Sequence, residues 1–388
     1  MNNLPIEKFG AIETPFYYYD VDVLKGTLEC ALQEAAKHEG FHIHYAIKAN
    51  FNHELLQIIN AAGMGADCVS GGEVKAALAA GIPAEKIVFA GVGKTEKEIR
   101  LSLEAGIFCF NVESLPEAEL INELAAEYGK RADIAIRVNP GVGAHTHANI
   151  TTGLAENKFG INYELLGETI DAIEGMKNIT LVGLHFHIGS QILEMDDFAV
   201  LCNRINEIQE QLHSERGLVL PHLNVGGGLG IDYNNPNGNP IPDFGRYFRT
   251  YADNLKKYPG QQVHFELGRS IVGQCGSLIT RVTYVKEGTC KKFVIVDAGM
   301  NDLVRPALYQ AYHEIDNLTS NDNAESYDVV GPICESSDVF AKERMLPATK
   351  RGDILAIRSA GAYGEAMAFG YNCRELAKAY LSTDLIEQ

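Results

Sequence analysis

A chain of 388 residues with 46% apolar and 22% charged side chains can bury the cores of roughly two or three domains, or of one large barrel with a smaller companion. Its formal net charge of -18 argues against nucleic acid and against an anionic membrane surface as partners. No apolar run reaches the ~18 residues that span a bilayer, the first residues lack a basic-then-apolar leader, and the 8 cysteines, without any CxxC spacing, fit reduced thiols in a cytoplasm.

Thr14-Pro15-Phe16-Tyr17-Tyr18-Tyr19-Asp20 is an aromatic run of strand character that stops at an acidic residue. From Val23 to His38, apolar residues (Val23, Leu24, Leu28, Leu32, Ala35, Ala36) recur at helical spacing. The stretch Phe41–Asn50 then alternates strictly, with Phe41, Ile43, Tyr45 and Ile47 on one face and His42, His44, Ala46 and Lys48 on the other. A lysine on the inward face of a strand is partly stripped of water, which lowers its pKa and favours a neutral, nucleophilic amine. The plainer alternative is a lysine whose head reaches solvent past the strand end.

Short β-branched or aromatic runs recur at 65–69, 87–90, 107–112, 134–138, 181–187, 222–225 and 263–266. Helical stretches lie between them, among them Glu73–Ala80, Glu96–Glu104, Leu115–Tyr128 and Phe198–Leu212. With the run at 42–48, this alternation predicts an α/β fold with a closed (β/α)8 TIM-like barrel; a doubly wound open sheet is the alternative. The longest connection, Asn139–Gly160, holds His145-Thr146-His147 and Glu156-Asn157-Lys158-Phe159-Gly160 and is expected to serve the active-site face. Beyond about residue 271 the expected strands (Leu278–Glu287, Lys292–Ala298, Ser326–Val330, Asp353–Ile357) follow one another without long helices. A second, mainly β domain of barrel or sandwich type is therefore expected from 1–24 and 272–388, beside a barrel over 25–271.

In such barrels function gathers at the C-terminal ends of the strands. Those ends supply Lys48, Asp67 and Ser70, then His187 with Ser190, the run Gly226-Gly227-Gly228-Leu229-Gly230, and Glu266 with Gly268 and Arg269. Glycines after the seventh strand leave bare backbone N–H groups that suit a phosphate, although a tight turn explains them as well. A lysine and a phosphate site together suggest pyridoxal 5'-phosphate, whose aldehyde takes a lysine. Glu266 facing the pyridine nitrogen would keep that nitrogen protonated. His187 would stack on the ring, its alternative being a histidine satisfied inside the barrel.

The motifs Tyr45-Ala-Ile-Lys48-Ala-Asn50, Gly65-Ala-Asp-Cys-Val-Ser-Gly-Gly-Glu73, Glu156-Asn-Lys-Phe-Gly160 and His185-Phe-His-Ile-Gly-Ser-Gln191 come first. They are followed by Gly226-Gly-Gly-Leu-Gly230, Glu266-Leu-Gly-Arg269, Asn301-Asp-Leu-Val-Arg-Pro-Ala-Leu-Tyr309, Cys334-Glu-Ser-Ser-Asp338 and Gly361-Ala-Tyr363. In this order, and over nearly the whole chain, they resemble the fold-type III pyridoxal-phosphate-dependent decarboxylases, most closely those acting on diaminopimelate. The resemblance implies decarboxylation of meso-2,6-diaminopimelate to L-lysine, the last step of lysine biosynthesis. It implies that Lys48 holds the cofactor's aldehyde covalently and that His187 covers the ring, in a pocket that includes Asp67 and Gly268. Ser190, the Gly226, Gly227 and Gly228 backbone and Tyr363 would hold the phosphate, with Glu266 on the pyridine nitrogen. Arg269, Arg305, Tyr309, Glu335 and Tyr363 would contact substrate, and Cys334 would donate a proton to the substrate carbon. Cys334 and Glu335 would do so in the partner's site, which implies a homodimer with shared active sites and no metal. Two departures stand out: Leu267 occupies a position that is usually proline in this family, and Glu375-Leu376 replaces a proline-rich continuation.

Three other readings compete. His-x-His pairs at 42/44, 145/147 and 185/187 suggest a metal-dependent barrel hydrolase, but His42 and His44 precede the strand end by several residues, which sets them deep in the barrel. Racemases of this fold tend to place arginine, not a carboxylate like Glu266, at the pyridine nitrogen. Sister decarboxylases acting on carboxynorspermidine, ornithine, arginine or lysine would have no need of Arg305 and Tyr309 alongside Arg269.

Overall fold

A computed structural model describes residues 4–141 and 158–385 of the chain. His145, His147, Glu156 and Asn157 lie outside the described residues. The chain forms two compact units, one of residues 28–230 and 243–268, the other of 1–27, 231–242 and 269–388. Among the described residues no helix is long and apolar enough to cross a membrane.

The short helix α1 (Ile6–Phe9), the strand β1 (Phe16–Tyr19) and the helix α2 (Val21–Ala36) come first. The barrel strands then follow as β2 (Phe41–Ala46), β3 (Gly65–Cys68), β4 (Ile87–Phe89), β5 (Cys109–Val112) and β6 (Ala132–Asn139). After the two-residue β7 (Ile161–Asn162) come β8 (Ile179–His185), β9 (His222–Asn224) and β10 (Gln262–Leu267). The strands pair in the order β5-β4-β3-β2-β10-β9-β8-β6, and β6 returns to β5, so the sheet closes. Every pair is parallel. The closing contact, Phe110–Val112 against Ile134–Ile136, excludes the open-sheet alternative.

Between the strands run α3 (His53–Ala61), α4 (Gly71–Ala79), α5 (Glu96–Ala105), α6 (Leu115–Glu127), α7 (Leu166–Glu174), α8 (Met195–Arg216) and α9 (Phe244–Asn254). Their starts are set by side chains that accept orphan backbone N–H groups: Asn52 for α3, Ser70 for α4, a Thr95–Glu98 capping box for α5 and Ser114 for α6. Ser70, grouped from the sequence with the strand-end functional residues, thus has a structural task. α9 carries aromatics where most helices carry aliphatics: Phe244, Tyr247, Phe248 and Tyr251 fill one face, and the last three meet Phe265 of β10.

The inward face of this barrel is polar at both ends. Near the N-terminal ends of the strands, His44 Nδ1 lies 3.0 Å from the Lys86 carbonyl, His44 Nε2 lies 2.9 Å from His264 Nδ1, and His264 Nε2 lies 3.0 Å from His222 Nδ1. A carbonyl only accepts, so the geometry fixes every tautomer. His222 donates to His264, His264 to His44, and His44 to Lys86. Glycines make the room: a Cβ at Gly65 would sit 2.6 Å from His44 Nδ1, and one at Gly183 would sit 2.6 Å from the His222 carbonyl. His42, which the sequence placed deep in the barrel, is instead exposed and pairs with Gln262.

In the other unit the strands are β11 (Gly276–Glu287), β12 (Lys292–Val296), β13 (Ile315–Asn317), β14 (Ala324–Val330), β15 (Val339–Pro347), β16 (Ile354–Ile357) and β17 (Lys378–Leu381). They order as β13-β16-β11-β12-β14-β15, with β1 antiparallel to β11 and β17 parallel to β1. The N-terminal aromatic strand therefore belongs to the β domain, where Phe9, Phe16, Tyr18, Ile279, Ile354, Ala356 and Leu385 form a core.

Burial holds His44 down to about 4, and burial followed by the neighbouring imidazoles holds His264 well below its ordinary value. Both folded pKa values lie below the unfolded value of about 6.5, so the stability that depends on neutral rings is complete above that pH. It is lost as pH falls from there toward about 4, and for His44 alone the whole shift corresponds to about 3 kcal/mol. A His264→Gln variant, which keeps one donor and one acceptor, is expected to lose less melting temperature between pH 7.5 and 5 than the wild type. Equal losses would show that the imidazole chain is not what resists acid.

Candidate active site

At the other end of the strands, Lys48 lies in a single turn of 3-10 helix, Ile47–Ala49, directly after β2. Its ammonium is 2.7 Å from Asp67 Oδ2 at the end of β3, with the lysine side chain 35% exposed and the aspartate fully buried. The sequence led to a desolvated lysine; the structure gives one that is ion-paired and reachable. Burial and the charge of Glu266 push the Asp67 carboxyl up, and Lys48 opposes them. Glu73 at the start of α4 is pushed up to about 7 by burial, against a hydrogen bond from the Val69 N–H and the charge of Lys48.

Glu266 is the best-held group in the barrel. Its Oε1 accepts from Asn111 Nδ2 at 3.2 Å and Asn224 Nδ2 at 2.7 Å, and its Oε2 accepts from His185 Nε2 at 3.1 Å. Burial works against its charge, but the pull of His185 and of Lys48 wins, and the carboxyl stays well below the usual range. A carboxylate offers about four acceptor positions, so three donors leave one for a further N–H. Asn224 Oδ1 in turn accepts from the Gly226 N–H at 3.0 Å, tying the carboxylate to the glycine run. The sequence missed Asn111 and Asn224, although an amide at the inward position of an apolar strand is the signal that marks them.

His187, two residues beyond β8, is held down to about 3 by burial and then by the charges of Arg137 and Lys48. Its Nδ1 accepts from the Gly227 N–H at 3.3 Å, so a neutral ring carries its proton on Nε2. In the run Gly226–Gly230, the N–H groups of Gly226, Gly227 and Gly230 are thus already engaged, the last by the Ile192 carbonyl, and those of Gly228 and Leu229 are left over among the described residues. The run lies flush on its neighbours: a Cβ at Gly227 would meet the Glu266 carbonyl at 1.9 Å, and Gly226 and Gly228 have φ of 72° and 108°. Gly268 is pressed between Ala46 and Ala49, each 3.1 Å from where its Cβ would be. Ser190, two residues beyond Ile188, is half-buried. Beside this group a second network, Arg137–Glu113 at 2.8 Å, fixes the Gly160 N–H on Glu113 and sets Arg137 over the Phe159 ring.

These residues fit pyridoxal 5'-phosphate. They offer an accessible lysine, an ionised buried carboxylate with one acceptor position open, and a glycine cradle too tight for side chains, with leftover N–H groups. The hydrolase alternative loses its ligands, because His44 is spent in the imidazole chain and His185 on Glu266. Among the described residues no cluster of histidine, cysteine and acidic side chains is arranged to hold a metal ion.

The β-domain unit carries its own cluster. Arg269 opens the short helix α10 (Arg269–Val272) and Arg305 opens α11 (Arg305–Tyr309); both are buried. Arg269 donates to the Tyr233 hydroxyl at 2.6 Å, and the rings of Tyr233 and Tyr363 lie within 6.0 Å of both guanidinium groups. Tyr309 borders Arg305 at 5.9 Å. Tyr363 adopts a φ of 57°, uncommon for a tyrosine. Cys334 is exposed, in a loop folded by Asp338, which accepts from the Met300 and Ile333 N–H groups at 2.7 Å each. The Cys334 N–H donates to Asn372, and Glu335 accepts from Tyr371.

Gly227→Ala must push the glycine run off β10, an overpacking cost of about 1–3 kcal/mol that a melting curve reads as a lower transition. Gly93→Ala, with open space around its Cβ, is expected to leave the transition unchanged.

Residues 26–273 match the model of the pyridoxal-dependent decarboxylase, pyridoxal binding domain. The chain is 64% identical to the diaminopimelate decarboxylase of Bacteroides thetaiotaomicron over 382 residues, 98% of this chain and 99% of that one. It is 42% identical to the Aquifex aeolicus enzyme of the same name over 95% of this chain and 86% of that one. The crystal structure of Helicobacter pylori diaminopimelate decarboxylase complexed with L-lysine superposes with a TM-score of 0.90 at 40% identity, covering 97% of this chain and 94% of that one. On sequence, fold and site together, this chain belongs to the diaminopimelate decarboxylase family of pyridoxal-dependent decarboxylases.

Proposed function

We propose that the chain removes one carboxylate of meso-2,6-diaminopimelate as carbon dioxide and releases L-lysine, acting as a cytoplasmic homodimer. The observation that carries this reading is the pair formed by an accessible Lys48 on Asp67 and a buried, ionised Glu266, in a chain 64% identical to a curated diaminopimelate decarboxylase. Bound pyridoxal 5'-phosphate supplies a sink for the electrons left at the substrate's α-carbon when the carboxylate departs.

Each residue then has a task. Lys48 binds the aldehyde covalently, with Asp67 holding its amine in place beforehand. Glu266 holds the proton on the ring nitrogen, and the three donors on Glu266 keep it anionic for that purpose. His187 covers the ring and Gly268 lines the cofactor pocket, while Ser190, the Gly226–Gly228 backbone and the Tyr363 hydroxyl secure the phosphate. Arg269, Arg305, Tyr309 and Glu335 grip the end of the substrate that does not react. Cys334 returns a proton to the α-carbon. It is exposed in the single chain, as a residue at a surface covered by another subunit must be; Cys290 and Cys373 are exposed as well.

Product analysis with meso-diaminopimelate, L-lysine, L-ornithine and L-arginine as separate substrates tests the reaction. Conversion of diaminopimelate to L-lysine is expected, with the other three left essentially unchanged; comparable turnover of any of them would favour a sister decarboxylase.

The shared site has its own test. An inactive Lys48→Ala chain mixed with an inactive Cys334→Ala chain should regain up to about a quarter of wild-type activity per chain, because random exchange in a two-fold dimer makes about half the dimers mixed with one intact site each. No recovery, with subunit exchange shown separately, would mean that each chain completes its own site.

A further inference from the structure

Arg305 is buried, yet no carboxylate stands within salt-bridge distance of it among the described residues; its partners are the His313 ring and the faces of Tyr233, Tyr309 and Tyr363. A buried guanidinium is ordinarily matched by an acid. His313 takes the acid's place and is fixed with care. Its Nδ1 lies 2.8 Å from the Arg358 carbonyl, which only accepts, so the ring proton is on Nδ1 and Nε2 is bare. That bare nitrogen accepts from Arg305 Nε at 3.4 Å.

Arg358 cannot drift, because its N–H donates to the Glu314 carbonyl at 2.8 Å, extending the β13–β16 ladder, and its guanidinium is held by Asp316 at 2.8 Å. Burial, then the charge of Arg305, hold His313 down to about 3, so the ring is neutral at any physiological pH. The edge of Tyr233 closes on His313 with ring centres 5.1 Å apart, and the Tyr233 hydroxyl serves Arg269 as another neutral acceptor.

We propose that His313 is a positioning and specificity residue: it fixes the plane of Arg305 through Nε without cancelling its charge, reserving the two terminal nitrogens for the carboxylate on the substrate's non-reacting end. This rests on the function proposed above. A carboxylate at position 313 would hold Arg305 equally well but would take that charge for itself. A neutral acceptor holds the fork and leaves it hungry for an external anion.

The test uses the holoenzyme and two probes, L-lysine, which keeps the distal carboxylate, and cadaverine, which lacks it. Dissociation constants are read from the cofactor's absorbance, beside kcat and KM for diaminopimelate. Wild type is expected to prefer L-lysine. His313→Gln, another neutral acceptor, should keep that preference. His313→Glu should weaken L-lysine binding at least about tenfold, the scale of one hydrogen bond to a charged group, with cadaverine unchanged and KM rising more than kcat falls. His313→Leu, which keeps a neutral side chain but no acceptor, should lose several-fold in L-lysine affinity and none for cadaverine. It serves if the glutamate variant does not fold. Unchanged selectivity in the Glu or Leu variant, or equal loss of both probes, would overturn the assignment while leaving the reaction itself standing. A wild type that does not decarboxylate diaminopimelate would overturn the underlying reading instead.

Discussion

Everything in the barrel unit turns on keeping one buried carboxylate charged. An ionised glutamate away from water is costly unless its lone pairs are filled, and Glu266 is filled by donors from three other strands. Asn224 comes from the adjacent β9, His185 from β8, and Asn111 from β5. In the strand order β5 lies four steps from β10 in either direction. In a flat sheet that separation is about 19 Å at ordinary strand spacing, yet the Asn111–Glu266 bond is 3.2 Å. The bond exists because the sheet closes. Closure thus sets the field in which Glu266 stays anionic.

The same closure explains why the interior tolerates so much polarity. Inward positions recur every second residue, so His264 and Glu266 on β10 point into the same space at different depths. The deeper one is the middle of a hydrogen-bonded run that His44 ends on a backbone carbonyl, and the upper one collects donors. Each network is nearly saturated, which is what keeps a polar core from loosening. The exceptions are His185 Nδ1 and Asp67 Oδ1, buried polar atoms with no hydrogen-bond partner among the described residues. Both belong to residues that touch Glu266 and Lys48, the two groups proposed to meet the cofactor. Among the described residues the hydroxyls of Tyr247 and Tyr251 on α9 are unmet too, so unmet hydrogen-bonding capacity is not confined to the groups around Glu266 and Lys48.

Much of this could be read in the sequence, and the reasons are local. The barrel strands declare themselves because alternation and flanking turns are properties of short windows; the run expected at 181–187 is β8 at Ile179–His185, and that at 263–266 is β10 at Gln262–Leu267. Lys48, Glu266 and the glycine run were found because motif spacing is local too. β15 was not found: its middle reads Ala-Lys-Glu-Arg-Met and is largely exposed, so no apolar period survives. Asn111, Asn224, Tyr233 and His313 were invisible for another reason. What matters about each is a neighbour far away in sequence, 155 residues for Asn111 and Glu266 or 36 for Tyr233 and Arg269. A local pattern does not encode which distant group a polar side chain will meet.

The β-domain unit solves the converse problem with different means. Arg269 and Arg305 carry like charges and share the same two tyrosine rings, so each raises the electrostatic cost of the other. Acid partners would remove that cost and with it the reason to bury the pair. Ring faces, a phenol oxygen and a neutral imidazole lower it only in part. A positive potential therefore survives in a dry, aromatic surrounding, where a carboxylate binds more strongly than it would to the same arginines in water. The barrel brings donors from three other strands to one anion, and the β domain seats Arg305 on a neutral imidazole and on ring faces. A neutral partner such as His313 holds a charge in place without cancelling it, and that is the condition under which a buried charge remains available to a ligand.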